Sequence, residues 1–473
     1  MAWLAIPRPL ALLLATSLFG NARAVINLDL TSTESIIAAA GTIAYDMMTY
    51  YKGNLSGQTP GLLPGPPPNP QITNAGYFWW EAGAMFGSMI DYWYYTGDST
   101  YNDVVSQGLL FQTGPDNDYL PQNQTNGMGN DDQGFWGMSA MTAAELGFPN
   151  PPANQPQWLA LAQGVYNTQL PRFDNICGGG LHWQAYSVLN GYNYKNSIAN
   201  GCFFNIASRL AVYTGNNSYA VNAESTWDWI TNVGFIDPNY NVYDGASTTT
   251  NCTPVNKQEY SYNTAVWLLG AAHMYNYTNG SQIWHDRVDG LVTAAINNFF
   301  PNGIAYEKIC EAVPSKCSID MLSFKAYLTR WMAAATKQAP FIYDRVKAVL
   351  EKSATAAALQ CNGSPADHPN GRMCGLSWSM GTTWDGTSGV GQQMAAMEVI
   401  QSNLIQQAKA PLTSNTGGTS KGNPTAGQGD TTNPGGVKPI TTADRAGAGI
   451  LTALVAAVVL SGLAWVSMPE KTS

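Results

Sequence analysis

The chain has 473 residues, of which only 11% are charged, against about 25% in ordinary soluble proteins. The formal net charge of −9 argues against nucleic acid as a partner and suits an acidic exterior. The four histidines are scattered and the cysteine spacings match no zinc pattern, so neither a metal site nor a cofactor is expected.

The first 24 residues have the composition of a signal peptide. The positive charge of Arg8 precedes an apolar run from Leu10 to Phe19, and the small-x-small sequence Ala22-Arg23-Ala24 follows it. This order predicts cleavage after residue 24, so that the mature chain begins near Val25. The alternative is a buried first helix, since the run is too short to span a bilayer, which needs about 20 apolar residues.

Helical periodicity dominates the chain between residues 25 and 410, and alternation of the β type is almost absent. In one segment Val288, Leu291, Val292 and Ala295 recur at the spacing that lines one face of a helix. The pattern predicts twelve helices, near residues 32–51, 77–96, 99–112, 132–147, 156–170, 197–214, 218–232, 260–277, 281–299, 319–337, 341–359 and 391–408.

Two helix ends look alike and indicate an internal repeat. In Tyr95-Thr96-Gly97-Asp98 and Tyr213-Thr214-Gly215-Asn216, the glycine is placed to end one helix before the next begins. Twelve helices paired by such turns can close into an (α/α)6 barrel or form an open solenoid. The barrel is favoured because helices 77–96 and 132–147 lack a polar face, as inner-ring helices do. We therefore predict an all-α domain, an (α/α)6 barrel, over residues 25–410.

Tryptophan is frequent at the predicted helix ends and loops. Sugar rings stack their C–H faces on indole and phenol rings, while amides bind their hydroxyl groups. Any single tryptophan is as well explained by the core, but the set, among many Asn and Gln residues, favours a carbohydrate cleft. The set comprises Trp79, Trp80, Trp93, Trp136, Trp183, Trp267, Trp378 and Trp384.

Two adjacent acids, Asp131 and Asp132, open an otherwise uncharged helix. One interpretation is a helix cap with a first-turn acid that stabilises the helix dipole. The other is catalytic, because neighbouring residues can place two carboxylates about 5 Å apart, the separation used by retaining glycosidases. One acid would then stay ionised as a nucleophile, and its charge would keep the other protonated as the general acid.

The seven cysteines indicate an oxidising compartment. Two pairs are close in sequence, and we predict the disulfides Cys310–Cys317 and Cys361–Cys374. Cys177 and Cys252 lie in loops and are paired next, which leaves Cys202, in a helical pattern, buried and free. Seven sequons would carry the glycans that replace charge as a source of solubility, at Asn54, Asn123, Asn216, Asn251, Asn276, Asn279 and Asn362.

The C-terminal part indicates a membrane anchor. Residues 411–445 are rich in Gly, Thr, Ser and Pro and are predicted to be a linker. Residues 446–473, mostly apolar, follow as a tail removed on attachment of a glycosylphosphatidylinositol (GPI) anchor. We expect attachment at Gly435 or Gly436, with Asp430 and Asp444 as weaker candidates. A membrane span is the rival interpretation, and either one holds the protein on the outer face of a membrane.

Several further motifs accompany the acid pair Asn130-Asp131-Asp132. They are Cys177-Gly178-Gly179-Gly180-Leu181-His182-Trp183, Lys195-Asn196-Ser197, Tyr260-Ser261-Tyr262-Asn263, Phe324-Lys325 with Arg330, and Gly389-Val390-Gly391-Gln392-Gln393-Met394. Together they resemble glycoside hydrolase family 76, and within it the fungal, GPI-anchored mannan endo-1,6-α-mannosidases. The resemblance covers about residues 27–408.

The resemblance implies an (α/α)6 barrel and a retaining mechanism, with Asp131 as nucleophile and Asp132 as general acid/base. It also implies a monomer that acts in fungal wall biogenesis on α-mannoside glycans, GPI-anchored proteins and cell-wall polysaccharide. For substrate contacts we expect Trp136, Trp183, Asn196, Asp244, Tyr262 and Lys325. A turn role is as well suited to Asp244, and an outer-face salt bridge to Lys325.

Three functions remain open at this point. The protein is a transglycosidase that passes a mannosyl unit to a wall sugar, a hydrolase of α-1,6-mannan, or a non-catalytic glycan-binding protein of the wall. The intact acid pair disfavours the third. Water and sugar compete for one covalent intermediate, so the residues do not separate the first two.

Overall fold

The computed structural model describes residues 26–67 and 76–428, and in the C-terminal segment residues 449–450, 452, 454–457 and 460–461. None of the helices in these ranges is long and apolar enough to cross a membrane. Residues 26–428 contain twelve α-helices, one for each helix predicted: α1 Thr33–Met48, α2 Trp79–Thr96, α3 Asn102–Phe111, α4 Asn130–Leu146, α5 Trp158–Gln169, α6 Ser197–Thr214, α7 Asn217–Asn232, α8 Ser261–Tyr277, α9 Gln282–Phe299, α10 Phe324–Gln338, α11 Tyr343–Gln360 and α12 Val390–Gln401.

The even-numbered helices form a closed inner ring. Each packs against the next, from α2 through α12, and α12 returns to contact α2. The odd-numbered helices pack outside the ring, as α5 does on α4 and α9 on α8. This arrangement confirms the predicted (α/α)6 barrel.

The burial of each helix follows from its position in the two layers. The inner helix α6 is buried on nearly all sides, whereas the outer helix α9 buries one face through residues such as Val288, Leu291 and Val292. Gly97 and Gly215 end α2 and α6 with φ values of 76° and 70°, the left-handed conformation that glycine adopts without strain. The predicted glycine caps are therefore present.

Short strands connect the barrel to its loops. Strands β1 Tyr194–Asn196 and β2 Gly245–Ser247 pair antiparallel, with Asn196 opposite Gly245. Strands β3 Cys361–Gly363 and β4 Met373–Cys374 form a second antiparallel pair. The first pair lies at the barrel end where the inner helices begin, and it carries residues of the site described below.

The cysteine predictions are confirmed. Disulfides join Cys177 to Cys252, Cys310 to Cys317 and Cys361 to Cys374. Cys202 is free and buried within α6.

One ionisable residue from each inner helix enters a buried charge network in the barrel. Arg330 contacts Asp91 at 2.5 Å and Glu398 at 3.6 Å. Arg209 contacts Glu145 at 2.6 Å, and His273 contacts the same carboxylate at 3.4 Å. The hydroxyl of Thr142 accepts hydrogen bonds from both arginines and joins the two halves. We call these six ionisable residues the axial charge network.

The ordered chain extends beyond the boundary predicted at residue 410. Residues 412–428, here the C-terminal strap, lie along the outside of the barrel. The Leu412 N–H donates to the Glu145 carbonyl at 2.7 Å, and the Gly427 N–H donates to the Asp116 carbonyl at 3.1 Å. The expectation of a free linker is therefore wrong for this part. Its composition offers few apolar residues to bury, and hydrogen bonds of its backbone and of side chains such as Ser420 hold it instead.

One predicted glycosylation site does not suit the folded chain. Asn362 is buried, and its amide nitrogen, the atom that would carry the glycan, donates to the Thr382 carbonyl at 2.6 Å. The other six sequon asparagines are exposed. The signal peptide over residues 1–24 and the anchor positions Gly435, Gly436, Asp430 and Asp444 lie outside the described residues.

Candidate active site

A cleft of about 510 Å³ opens at the barrel end where the inner helices begin. Its wall is built from the first turns of α2, α4, α6, α8 and α10 and from the loops before them. Side chains on this wall include Trp80, Asp131, Asp132, Trp183, Tyr262 and Asp320.

Asp131 and Asp132 lie in the first turn of α4, with both side chains in the cleft. The Gly129 N–H donates to Asp132 Oδ2 at 2.6 Å, and the Asp132 N–H donates to Asp131 Oδ1 at 3.0 Å. Asp132 thus caps the helix, as the structural interpretation required, yet both carboxylates still face the cleft. Capping and chemistry are compatible at this position.

Gly129 fixes how close the two carboxylates are. A Cβ atom built on Gly129 would lie 2.0 Å from Asp131 Oδ1 and 2.8 Å from Asp132 Oδ2. These two oxygens therefore lie within about 5 Å of each other, the separation found in retaining glycosidases. Only glycine leaves room for both.

A buried polar network holds the start of α4 in place. The Arg172 guanidinium donates to Asn130 Oδ1 at 2.6 Å and to Gln133 Oε1 at 2.8 Å. The Gln169 amide donates to the Asn130 carbonyl at 2.7 Å. Because these residues flank Asp131 and Asp132 in the chain, the network fixes the backbone that carries the acids.

Backbone pairing places Trp183 beside Asp131. The Asn130 N–H donates to the Trp183 carbonyl at 2.8 Å, and the Trp183 N–H donates to the Tyr194 carbonyl at 2.7 Å. The loop before α4 is thereby tied to β1 through the segment around Trp183. The Trp183 side chain in turn lowers the pKa of Asp131, against the larger effect of burial.

Burial and a neighbouring carboxylate raise the pKa of each acid. Burial and the neighbouring Asp132 raise the pKa of Asp131 well above its usual range, although backbone amides and the Trp183 indole oppose that rise. Burial, with a contribution from Asp320, raises the pKa of Asp132 to about 7, against the effect of the Gly129 amide. The pair therefore holds a proton between its carboxyl groups near neutral pH, as general acid catalysis requires.

Three further predicted residues lie on the cleft wall, namely Asn196, Asp244 and Tyr262. The Asn196 side chain also caps α6 by accepting the Ala199 N–H at 3.2 Å. Asp244 accepts the Tyr194 hydroxyl at 2.6 Å. Tyr262 stacks on the ring of Phe324 with their centroids 3.9 Å apart. Their contact with substrate stays a prediction.

Two predicted contact residues do not reach the cleft. Trp136 is fully buried behind α2, where its ring packs on Trp79 and against the bare Cα of Gly83. Lys325 is fully buried below the cleft, with its ammonium 3.1 Å from Glu311 and 3.9 Å from the centre of the Trp378 ring. Both predictions are wrong, because these side chains point away from the cleft into the packed layer between helices.

Asp320 lies on the cleft wall but was not among the site residues predicted from the sequence. It precedes α10 and accepts the Trp80 indole N–H at 3.2 Å. Burial raises the pKa of Asp320 to about 6. A signal existed in the sequence, since an acid opens this helical segment as the acids open α4. Among the described residues, the cleft wall holds the carboxylates of Asp131, Asp132, Asp244 and Asp320 and no lysine, arginine or histidine.

A helical barrel with paired carboxylates in a cleft of sugar size defines a class of protein, the glycoside hydrolases. Sequence comparison agrees, because Glycosyl hydrolase family 76 matches residues 35–415. The chain belongs to that family.

Relatives cover almost the whole chain. It is 43% identical over 460 residues to mannan endo-1,6-alpha-mannosidase DCW1 of Saccharomyces cerevisiae, covering 96% of this chain and 97% of the relative. It is 42% identical over 416 residues to a putative mannan endo-1,6-alpha-mannosidase of Schizosaccharomyces pombe, covering 88% and 90%.

Solved structures share the fold. Dfg5 from Chaetomium thermophilum, crystallised in complex with glucosamine, is 49% identical with a TM-score of 0.80, covering 85% of this chain and 97% of that one. An α-1,6-mannanase of Salegentibacter, in an inactive variant with two adjacent aspartates changed to asparagine and bound to α-1,6-mannotriose, is 14% identical. Its TM-score is 0.61, and the match covers 78% of this chain and 99% of that one.

Proposed function

We propose that the protein is a retaining endo-α-1,6-mannosidase or transglycosidase that acts through Asp131 and Asp132. The observation that carries the proposal is the pair of carboxylates within about 5 Å of each other at the wall of the cleft. We propose α-1,6-linked mannose as the substrate because the relatives are named mannan endo-1,6-alpha-mannosidases.

In the first step, a carboxylate oxygen of Asp131 attacks the anomeric carbon of the mannosyl unit. The glycosidic bond breaks as Asp132 gives its proton to the leaving oxygen. The product is a mannosyl ester on Asp131 and an ionised Asp132. Burial and the neighbouring Asp132 favour the protonated form of Asp131, and the Trp183 indole and the Asp132 amide oppose that effect and favour the ionised form that attacks.

In the second step, Asp132 takes a proton from an incoming hydroxyl group. That oxygen attacks the anomeric carbon, the ester bond to Asp131 breaks, and both acids return to their starting states. Two displacements at one carbon retain its configuration. The incoming group is water for hydrolysis or a wall sugar for transfer.

For the donor we propose the mannose core of GPI glycans, or α-1,6-mannan of the same linkage. A cleft wall with four carboxylates and no cationic side chain suits a glycan that contains an amino sugar, because an ammonium group is attracted to it. The relative crystallised with glucosamine supports this assignment. A role in wall biogenesis, with GPI-anchored proteins as donors and wall polysaccharide as acceptor, follows from it.

We further propose that the protein enters the secretory pathway and is held by a GPI anchor at the outer face of the plasma membrane. The support is the apolar segment near the start, the tail with its small residues, and three disulfides in the folded domain. The third function, glycan binding without catalysis, is not proposed, since the cleft brings two acids with raised pKa values together.

Two variants test which acid is the nucleophile and which is the proton donor. Asp131→Asn removes the nucleophile, so turnover is expected to vanish for every leaving group. Asp132→Asn removes the proton donor, so an activated aryl mannoside still forms the ester, and azide partly restores the second step. Both variants are expected to fold, because asparagine suits a helix start.

The outcomes separate the alternatives. Wild-type activity in both variants would mean that the pair only caps α4. Azide rescue of Asp131→Asn instead would exchange the two roles. Incubating the wild-type domain with an α-mannoside donor and a labelled oligosaccharide acceptor, with products followed by mass, decides between hydrolysis and transfer.

A further inference from the structure

The C-terminal strap runs along the outside of the barrel, from the end opposite the cleft to the cleft end. It begins where Leu412 bonds to Glu145 in the last turn of α4. Further on, the Ser420 hydroxyl accepts the Leu159 N–H, at 2.9 Å, in the first turn of α5. Because α5 runs antiparallel to α4, its first turn also lies at the far end of the barrel.

The strap then runs beside α5 toward the cleft end of the barrel. The Gln163 side chain accepts the Asn423 N–H at 2.6 Å in the middle of the helix. In its last turn, the Asn167 amide donates to the carbonyls of Pro424 and Ala426 at 2.9 and 2.8 Å. The contacts of the strap therefore advance along the axis of α5 toward the cleft end, by about 1.5 Å for each residue of the helix.

The strap ends beside the cleft. The Gly427 N–H donates to the Asp116 carbonyl at 3.1 Å. Two residues further along that loop, the Asp118 carbonyl accepts the Gln133 amide at 2.7 Å. Gln133 follows Asp131 and Asp132 in the first turn of α4, so the described strap ends at the level of the two acids.

From this path we infer that the strap turns the cleft end of the barrel toward the membrane, so that its substrates are mannose glycans carried by lipids of the same leaflet. The inference rests on the proposed anchoring of the tail. Only six residues separate Gln428 from Gly435, and seven Cα steps span at most about 25 Å. The helices of the barrel are about 27 Å long, so a tether of this reach to Gly435 holds the cleft end nearer the membrane than the opposite end.

The chemistry of the cleft fits a lipid-carried glycan. Its carboxylates attract an amino sugar, and its mannose-cleaving acids lie on the face nearest the lipid. Without the strap, the tether from Ala410 to Gly435 would hold 24 intervening residues. Effective concentration falls roughly as the −3/2 power of tether length, so releasing the strap would lower encounters with lipid-carried substrate about sevenfold.

The experiment uses the full chain in membrane vesicles. Asn167→Ala with Ser420→Ala removes three strap bonds, and Asn297→Ala, an exposed asparagine of the outer helix α9, is the matched control. We expect the double variant to lose up to about sevenfold in turnover of a GPI lipid in the same vesicles. Turnover of a soluble α-1,6-mannoside and the activity of the control are expected to stay unchanged. Equal activity of the double variant on both substrates would overturn the inference.

A second measurement reads orientation directly. Val188 in the loop after Trp183 and Val221 near the opposite end of the barrel are both exposed, at 89% and 56%. Each is changed to cysteine and labelled, since the other thiols are in disulfides or buried. Energy transfer to a dye in the bilayer is expected to be stronger from position 188. Equal or reversed transfer would overturn the orientation.

The same vesicles separate this inference from the proposals beneath it. A phospholipase that cleaves GPI anchors is expected to release the wild-type protein. Attachment that survives with the tail removed would refute anchoring and the orientation together. Loss of activity on the soluble mannoside in the wild type would refute the enzymatic proposal while leaving the orientation measurement intact.

Discussion

The carboxylate of Asp320 lies on the same cleft wall as Asp132 and raises the pKa of that acid. In the proposed mechanism, Asp132 must be protonated to act on the leaving group. Asp320→Asn removes a negative charge, so the pKa of Asp132 falls and its proton is lost at lower pH. The alkaline limb of the kcat/KM profile is expected to move down by about half to one pH unit.

The control for this prediction is Asp244→Asn. Asp244 lies on the same wall, but it is not among the groups that shift the pKa of Asp132. Its variant is expected to keep the alkaline limb in place. An unchanged limb in Asp320→Asn would show that Asp320 does not set the protonation of the acid.

Gly129 offers a second test at the scale of one residue. Its φ and ψ of −83° and 154° are open to alanine, so Gly129→Ala is not strained in the backbone. The added Cβ would meet Asp131 Oδ1 at 2.0 Å and displace it. A displacement of this size is expected to lower kcat about 100-fold.

Two measurements check the Gly129 prediction. Thermal unfolding is expected to change little, which separates a displaced carboxylate from a damaged fold. Gly127→Ala, whose Cβ would meet no atom within 4 Å, is expected to keep near-normal activity. Similar kcat values for the two variants would contradict the role given to Gly129.

At the scale of helices, the axial charge network holds the inner ring together. Arg330→Met leaves Asp91 and Glu398 buried without their cation. Breaking such a buried pair costs about 3–5 kcal/mol in the free energy of unfolding, because the acidic groups left behind stay desolvated. Denaturant unfolding of the variant measures this loss.

An exposed pair supplies the control. Arg345 contacts Asp289 at 2.5 Å, but both side chains are close to half exposed. Arg345→Met is expected to cost less than about 1 kcal/mol. Equal costs for the two arginine variants would mean that the network contributes no more than a surface ion pair.

The helices and the acid pair could be predicted from the sequence because each leaves a local signal. Apolar spacing defined all twelve helices, glycines marked helix ends, and Asp131 and Asp132 stood out in an uncharged stretch. Lys325 and Trp136 left no comparable signal, since a helix buried all round does not reveal which side chains face the axis. The C-terminal strap was missed because most of its bonds are made by backbone groups, which composition does not describe.

For the whole molecule, the buried acids predict a stability that falls as pH rises. Burial raises the pKa of Asp118 to about 7 and the pKa values of Glu307 and Glu398 to about 8. In the unfolded chain such groups titrate near about 4. A raised folded-state pKa gives stability that is complete below the unfolded value and is lost as pH rises through the folded value.

Thermal unfolding between pH 5 and pH 8.5 tests this sign. We expect Tm to fall across the range, and Glu307→Gln to flatten part of the slope because it removes one titrating group. The contribution of Glu145 to stability has the opposite pH dependence. Arg209 holds the pKa of Glu145 at about 2 despite burial, so this contribution is lost only in strong acid. A Tm that rises with pH would contradict the prediction.

The axial charge network also restricts how the length of the chain can vary. Each added or deleted residue turns the rest of a helix by about 100°. A single deletion in α4 between Asp132 and Glu145 would leave the acids in the cleft but swing Glu145 away from Arg209. Each inner helix thus has one end positioned at the cleft and another residue positioned in the axial charge network. The number of residues between these two positions is therefore fixed. We expect insertions to be tolerated in the loops between outer and inner helices, and single-residue deletions inside the ring to abolish folding.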